Sequence, residues 1–482
     1  MGSYGRRKAV FIVAVLTAAE KLLNYYSTEK PEVQLIFTKG GGNMIPKPVQ
    51  SVLHTLETAG FQGWAVGGCV RDILRGAVPS DWDVTTDARP QQVMALFGGR
   101  AVPTGLRHGT VTVKQEGMAI EVTTFRCDGV YTDHRRPDTV RFSHSLEEDL
   151  ARRDLTVNAM AMDVRGRMAD PFGGREDLEK AILRCVGEPE RRFDEDALRI
   201  MRTLRFAAVL GFTIEEETAA SLRRKAPLLR AIAVERLLVE TDKLLLGDHM
   251  ADVLLAYPDV LGVFLPEILP CVGLDQRNPH HCYDVWEHCV RAAALVPAET
   301  GQRWAALLHD VGKPPCFTVD EAGVGHFYGH GKRSETMAEE ICRRLRMDNH
   351  RRERIVTLVS WHDRDIPRTE QSIGRALRRL GEDTLRQLID LKRADNGAQS
   401  EVYRSRSVEM DRAESILNDL LARQSCFSLK QLAVNGRDMM ALGLQGAAVG
   451  EMLNGLLDAV VDGAAANEKD ALLTLARQRM TK

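Results

Sequence analysis

Trp64-Ala65-Val66-Gly67-Gly68-Cys69-Val70-Arg71-Asp72, followed by Asp81-Trp82-Asp83, is the stretch that decides how the rest of the chain is read. The apolar residues ahead of the glycines read as a short strand, and Val70 to Leu74 as the first turns of a helix. Two glycines permit a tight turn and let a bulky ligand approach the main chain. A strand, a glycine turn and a helix N-terminus leave free N–H groups facing outward, which suits an anion. Asp81 and Asp83 alternate with Trp82 and Val84, and residues two apart on a strand share a face. Two carboxylates side by side repel each other unless a cation lies between them. A hard divalent ion, most simply Mg²⁺, accepts oxygen ligands and bound phosphates together. A phosphate pocket beside paired aspartates on one sheet predicts metal-dependent nucleotidyl transfer, with Asp81 and Asp83 as catalytic metal ligands.

Composition sets the outer bounds. At 482 residues the chain has room for about three domains. A hydrophobic content of 44% with 27% charged residues fits a soluble globular protein, and 6% aromatics points to helix-rich cores of Leu and Ala. The net charge of −2 gives no global attraction to nucleic acid, so any RNA-binding surface must be a local patch. The nine cysteines lack CxxC pairs, which argues against a zinc ribbon or a disulfide scaffold and for a reducing cytoplasm.

Residues 1–43 differ from the remainder. Arg6-Arg7-Lys8 before Ala9 to Leu16 resembles a signal peptide, but Glu20 and Lys21 stand where a small-residue cleavage site belongs. The apolar run is too short to span a bilayer, so no membrane partner is expected. Lys39-Gly40-Gly41-Gly42-Asn43 ahead of Met44 can be encoded by a purine-rich run like a translated bacterial ribosome-binding site. The expectation is that Met44 is the natural start and that residues 1–43 are a non-native leader.

From Lys47 to Gly60, Val49, Val52, Leu53 and Leu56 recur at helical spacing, and Pro90 to Phe97 reads as a further helix with Pro at its start. Thr110 to Val113 and Ala119 to Phe125 alternate and are β-branched, so they read as strands. Glu121 is either a third carboxylate near the metal or an ordinary exposed strand residue. Arg126 to Phe142 is polar and aperiodic, with Gly129 and Pro137, and reads as a loop. Glu195 to Arg205 reads as one helix, with Leu198, Met201, Leu204 and Ala208 on its apolar face and Asp196, Arg199 and Thr203 opposite.

The glycine turn and paired aspartates together resemble the head of class II tRNA nucleotidyltransferases (CCA-adding enzymes) and the related bacterial poly(A) polymerases. Arg152-Arg153-Asp154 with Asn158 resembles that family's RRDxxxNA motif, and Glu195-Asp196 with Arg199 its EDxxR motif. The resemblance implies that Gly68, Arg71 and Arg153 position the triphosphate, where a guanidinium fork suits phosphate. It implies that Asp196 and Arg199 read the base, Asp accepting from an exocyclic amino group and Arg donating to ring nitrogens and carbonyls. Arg202 and Arg205 continue the arginine spacing toward phosphates or tRNA. The segment from Arg126 to Phe142 resembles the family's flexible loop, which helps switch from C to A addition.

After about Leu265 the pattern changes. His288 lies in a helical pattern, His309-Asp310 closes the apolar run Trp304 to Leu308, and His330, His362-Asp363 and Asp395 follow at wide intervals. A single histidine on a helix is ordinarily a satisfied core or surface group, and His309-Asp310 alone also reads as a helix-terminal pair kept for packing. The ordered set resembles the HD phosphohydrolase superfamily, whose ligands hold a divalent metal. Imidazole with carboxylate suits a transition ion. The resemblance implies a second metal site at His288, His309, Asp310 and Asp395, with His330 and His362 as further ligands. Leu432 to Asp438 resembles a short helix-capping signature in the family's tail.

The expected fold is an α+β head, a mixed sheet with helices, followed by an all-α neck, HD-type body and tail. The expected divisions are 44–185 for the head, 186–264 for a base-reading neck, 265–400 for the HD domain and 401–482 for a tRNA-binding tail. The expected activity is addition of CCA to the 3′ end of tRNA from CTP and ATP, without a nucleic-acid template. Poly(A) polymerase is the alternative with the same head chemistry. A metal-dependent HD phosphohydrolase with a nucleotide-sensing head is an alternative of another class, and an RNA chaperone with a degenerate head a third. The intact Asp81/Asp83 pair speaks against the last two.

Overall fold

The computed structural model describes residues 44–128, 140–365, 369–400, 407–423 and 426–481. The leader and most of the expected flexible loop lie outside the described residues. The described residues of the head include the strands β1 (Gly63–Val66), β2 (Asp83–Thr86), β3 (Ala101–Gly105), β4 (Thr110–Gln115), β5 (Met118–Thr124), β6 (Arg126–Asp128), β7 (Val140–Phe142), β8 (Ala161–Met162) and β9 (Met168–Ala169), and at its end Ile182–Leu183 pairs with Thr213–Ile214. Seven form one sheet in the order β3-β4-β5-β2-β1-β8-β9. Only the β2–β5 pairing is parallel, with Asp83 opposite Glu121; the other neighbours run antiparallel, so the sheet is mixed as expected. The helix Lys47–Thr58 buries Val49, Val52, Leu53 and Leu56, the residues whose spacing predicted it. Val111, Val113, Ile120 and Val122 alternate inward along β4 and β5.

Three local expectations are corrected. The strand carrying the aspartates begins at Asp83, so Asp81 lies in the bend before it. The polar segment after Arg126 begins and ends as a ribbon, β6 pairing antiparallel with β7. The helix expected from Glu195 to Arg205 is two helices, Pro189–Glu195 and Leu198–Leu210, with Asp196 extended between them at φ −142°. Asp196 breaks the run because its carboxylate accepts the Leu198 N–H at 3.1 Å, a local bond that competes with helix continuation.

Beyond the head the described chain is helical apart from short strand pairs. One apolar core runs from Leu155 through Leu420, so the expected neck and HD body are packed around shared side chains. The C-terminal part has its own smaller core, including Val434, Met439, Leu456 and Leu472. Asn435 caps the helix Gly436–Ala441, and Asp438 accepts the Asn435 N–H at 2.9 Å. The capping signature read in the sequence is built.

Candidate active site and metal centre

The glycine turn is held open by its own geometry. Gly67 takes φ 81°, a conformation glycine adopts without steric cost. A Cβ there would stand 3.0 Å from Arg153 Nη1. Arg153 is thus folded against the turn, and its buried Nε has no hydrogen-bond partner. An unanswered guanidinium donor beside a glycine turn fits an anion. Arg71, one turn into the helix Gly68–Leu74, donates from Nη1 to Asn158 Oδ1 at 2.7 Å. Asn158 Nδ2 donates to Asp154 Oδ1 at 3.2 Å, and Asp154 accepts from Arg202 Nε at 2.7 Å. One polar chain therefore ties the glycine helix to the RRDxxxNA segment and to the helix Leu198–Leu210.

Asp81 and Asp83 are both exposed, with Trp82 buried between them. The Asp83 carboxyl is crowded where β2 begins while keeping a face to solvent. Partial desolvation raises it, Arg153 opposes, and the Asp81 and Glu121 carboxylates add to the rise, leaving it at about 6. Clustered acids of this kind favour a bound cation. Their oxygens fit a hard divalent ion that draws its remaining ligands from water and substrate phosphate. Among the described residues the head offers no group of three ligand atoms within 4.8 Å of one another.

Asp149 was not singled out in the sequence. It is fully buried and accepts from Arg152 at 2.9 and 2.7 Å, from Arg153 at 3.5 Å and from Thr85 Oγ1 at 3.1 Å. Burial alone would raise its carboxyl; Arg152 and Arg153 instead hold it below the usual range. Its signal was the i,i+3 and i,i+4 spacing to two arginines, hidden among the acids Glu147, Glu148 and Asp149 that suit a helix start.

The base-reading candidates are not paired with each other. Arg199 donates to Glu195 at 2.8 Å and to the Arg152 carbonyl at 2.8 Å. Asp196 is approached instead by Arg236 Nη2 at 3.4 Å. Glu235-Arg236 to Leu246 resembles, in sequence, the helix that buttresses the family's neck, and the helix Val234–Leu245 is built there; the pairing of Arg236 with Asp196 was not readable, since the two are distant in the chain. Burial pushes the Asp196 carboxyl up, against Arg236. Arg205 pairs with Glu240 at 2.9 Å. Arg71, Arg202 and Arg205 all lie over the ring of Phe206.

The HD residues converge completely. His288 Nε2 lies 3.2 Å from His309 Nε2 and 3.1 Å from Asp395 Oδ1. His330 and His362 approach each other at 3.4 Å, Nε2 to Nε2. Asp310 joins the two groups: Oδ2 lies 3.4 Å from His288 and 3.3 Å from His309, while Oδ1 lies 3.3 Å from His330 and 3.5 Å from His362. Each Nδ1 meets a backbone carbonyl: His288 with Ala398, His309 with Ala306, His330 with Phe327 and His362 with Val359. A carbonyl only accepts, so each neutral ring carries its proton on Nδ1 and turns a lone pair inward. Facing lone pairs repel unless a cation lies between them: burial lowers the His309 imidazole, but Asp310 beside it holds it well above its usual range, so without metal a proton fills that place and a metal would take it over. Oriented imidazoles with the other nitrogen anchored are how proteins hold such ions. Burial would raise both acids, but His309 and Lys313 hold Asp310, and His288 holds Asp395, below the usual carboxylate range.

A sheet-end carboxylate pair beside a phosphate turn, joined to a buried His/Asp cluster in a helical body, defines a metal-dependent nucleotidyltransferase head on an HD body. Three family models match in that order: "Poly A polymerase head domain" at residues 63–184, "Probable RNA and SrmB- binding site of polymerase A" at 211–271, and "HD domain" at 280–398. The chain is 44% identical over 287 residues to a CCA-adding enzyme of Geobacillus thermodenitrificans, covering 57% of this chain and 68% of that one. It is 34% identical over 438 residues to a CCA-adding enzyme of Geobacillus kaustophilus, covering 89% and 96%. The Bacillus stearothermophilus CCA-adding enzyme crystallised with CTP superposes at a TM-score of 0.69 and 31% identity, covering 91% of this chain and 98% of that one. The chain belongs to the family of CCA-adding enzymes.

Proposed function

We propose that this protein completes the 3′ end of tRNA by transferring CMP and AMP from CTP and ATP. The observation that carries the proposal is the Asp81/Asp83 pair set beside the Gly67 turn and Arg153, in a chain similar to CCA-adding enzymes over nearly their whole length. Gly67 leaves room for triphosphate, Arg153 and Arg71 bind it, and Asp149 and Asn158 fix those guanidiniums. The ribose 3′-oxygen bonds to the α-phosphorus as the α–β bridge breaks and pyrophosphate leaves. Mg²⁺ at Asp81 and Asp83 would favour ionisation of the 3′-OH and stabilise the leaving group. Asp196 and Arg199 select bases bearing an exocyclic amino group, with Arg236 holding Asp196.

The head is assigned to 44–185, the neck to 186–264, the HD domain to 265–400 and the tRNA-binding tail to 401–482. A cytoplasmic location is supported by nine unpaired cysteines and by the lack, among described residues, of a helix long and apolar enough to cross a membrane. The test is incubation with tRNA transcripts ending before CCA, after C and after CC, with each nucleoside triphosphate separately. CTP should extend the first two and ATP only the third; a long A tail on any of them would identify a poly(A) polymerase.

A second reading concerns the HD body alone. The inward lone pairs of His288, His309, His330 and His362 around Asp310 support a divalent transition-metal centre that hydrolyses phosphate esters. Metal analysis of protein purified without chelator, compared with His309→Ala, tests it.

A further inference from the structure

The helix Gly68–Leu74 carries the phosphate turn, and the helix Leu198–Leu210 carries Arg199, a base-reading candidate. Two arginine–aromatic contacts join them. Arg71 lies over the ring of Phe206 at 5.3 Å from its centre, and Arg75, one turn further on, over the ring of Phe212 at 5.4 Å. Phe206 is buried on the second helix, and Phe212 comes just after it. The same ring of Phe206 also takes Arg205 at 3.9 Å and Arg202 at 5.6 Å. Three guanidiniums at one ring repel one another. Arg202 is answered by Asp154 at 2.7 Å and Arg205 by Glu240 at 2.9 Å, and the negative face of the ring attracts all three.

Arg71 keeps donors to spare. Its Nε donates to Asp72 Oδ1 at 2.9 Å, Nη2 lies 2.9 Å from the same oxygen, and Nη1 donates to Asn158 Oδ1 at 2.7 Å. A guanidinium has five N–H groups, so each Nη retains one beyond these contacts. A Cβ at Gly68 would stand 3.7 Å from Nη2, which places that end at the glycine turn. Two remaining donors on one planar fork suit a phosphate. The bonds to Asp72 and Asn158 are made within the head and set where the edges of the fork lie. The ring of Phe206 sets how close the whole group stands to the neck helix.

We propose that Phe206 is a positioning residue: its ring holds Arg71 against the neck helix and so sets the grip of Arg71 on the triphosphate. The proposal rests on the reading of Arg71 as a triphosphate ligand in nucleotidyl transfer, and it adds the group that places that ligand. An aliphatic side chain of similar size would fill the same space without attracting the cation.

The test replaces Phe206 in the full chain by Leu, and by phenylalanine carrying one, two or three ring fluorines. Fluorine withdraws negative charge from the ring face and nearly preserves its shape, so the fluorinated series remains decisive if Phe206→Leu fails to fold. CMP incorporation is measured on a tRNA transcript ending before CCA, with inorganic tripolyphosphate, which has no base, as competitor. KM for CTP and the inhibition constant of tripolyphosphate should rise together with each fluorine, to about fivefold at three. Turnover and the preference for CTP over UTP should stay at wild-type values. In an Arg71→Ala background, equilibrium binding of CTP should no longer respond to the fluorines. A KM unchanged across the series would overturn the proposal. So would the same response without Arg71, which would assign the ring to Arg202 or Arg205. A change in base preference with no change in tripolyphosphate inhibition would overturn it as well, placing Phe206 among the base-reading groups. If Arg71→Ala bound CTP and tripolyphosphate as tightly as wild type, the triphosphate reading of Arg71 would fall and this proposal with it. A wild type that incorporates no CMP would overturn the proposed function itself.

Discussion

Asp83 stands at the open start of a strand, keeps a face to solvent, and has Asp81 and Glu121 as carboxylate neighbours. His309 is fully buried, its Nδ1 fixed to a carbonyl and its Nε2 within 3.9 Å of His288, Asp310 and Asp395. On the proposed function the head offers an ion two carboxylates and leaves the rest of its shell to water and the substrate's phosphates. The HD cluster already brings six candidate ligand side chains together, as the two groups His288, His309, Asp395 and Asp310, His330, His362. A hard ion that keeps waters and takes phosphate oxygens suits the first arrangement; a borderline transition ion held by imidazoles suits the second. The difference teaches where specificity resides. On the proposed function, specificity in the head would lie in what surrounds the ion, namely Arg153, Asp149 and Asp196; in the body it would lie in the ligands themselves.

The largest effect should come from removing one of the head's two carboxylates. Asp83→Ala should lower CMP incorporation at least about a thousandfold, because the charge developing in transfer loses its cation. Metal bound to the HD cluster should stay at the wild-type level, measured by elemental analysis. Near-normal incorporation with Mg²⁺ present would break the comparison at its first term. His309→Ala should do the converse, emptying the HD cluster while CMP and AMP incorporation continues at the wild-type rate. Because His309 is buried, Asp395→Asn serves as a second variant, and a loss of tRNA extension in both would show that the two sites are not separate.

A smaller effect is expected at the surrounding residues. Asp149→Asn removes the charge that holds Arg152 and Arg153, and leaving such buried donors poorly paired costs about 1–3 kcal/mol. The expected result is a rise of about tenfold in KM for both CTP and ATP, with base choice intact. Asp196→Ala should relax base choice instead, UTP and GTP gaining against CTP in competition by a similar factor. If the two variants behaved alike, the division between phosphate-holding and base-reading groups would fall.

Legibility followed sequence distance. The strand, glycine turn and helix from Trp64 to Leu74 were readable because each residue type acts on its own neighbours. Val49 to Leu56 and the β4 and β5 strands were readable because burial imposes its period on the chain. The HD set was readable only by order and residue type, since its ligands come from separate helices. Asp149 was not readable as functional, nor was the pairing of Arg236 with Asp196. Asp149 sits among acids that a helix start attracts anyway, and Arg236 meets Asp196 only through folding. The break at Asp196 was missed because helical spacing continues across it, while the carboxylate's bond to Leu198 N–H has no periodic signal.

The smallest predicted effect concerns Glu121, which faces Asp83 across β2 and β5. The Asp83 carboxyl stands at about 6 without metal, partly because Asp81 and Glu121 repel its ionised form. Below that pH a proton occupies the group, so a divalent ion must displace it. Affinity should then worsen about tenfold per pH unit below 6 and be flat above it. Glu121→Gln removes one repelling charge, so Asp83 should ionise at lower pH. The variant should therefore bind metal better than wild type at about pH 5.5 and equally well at about pH 8. Mn²⁺ titration by electron paramagnetic resonance in a His309→Ala background, with the HD cluster emptied, isolates the head. Weaker binding by Glu121→Gln at every pH would make Glu121 a third ligand. The head would then be a more complete site than its two aspartates suggest, and the contrast with the HD cluster would narrow to burial alone.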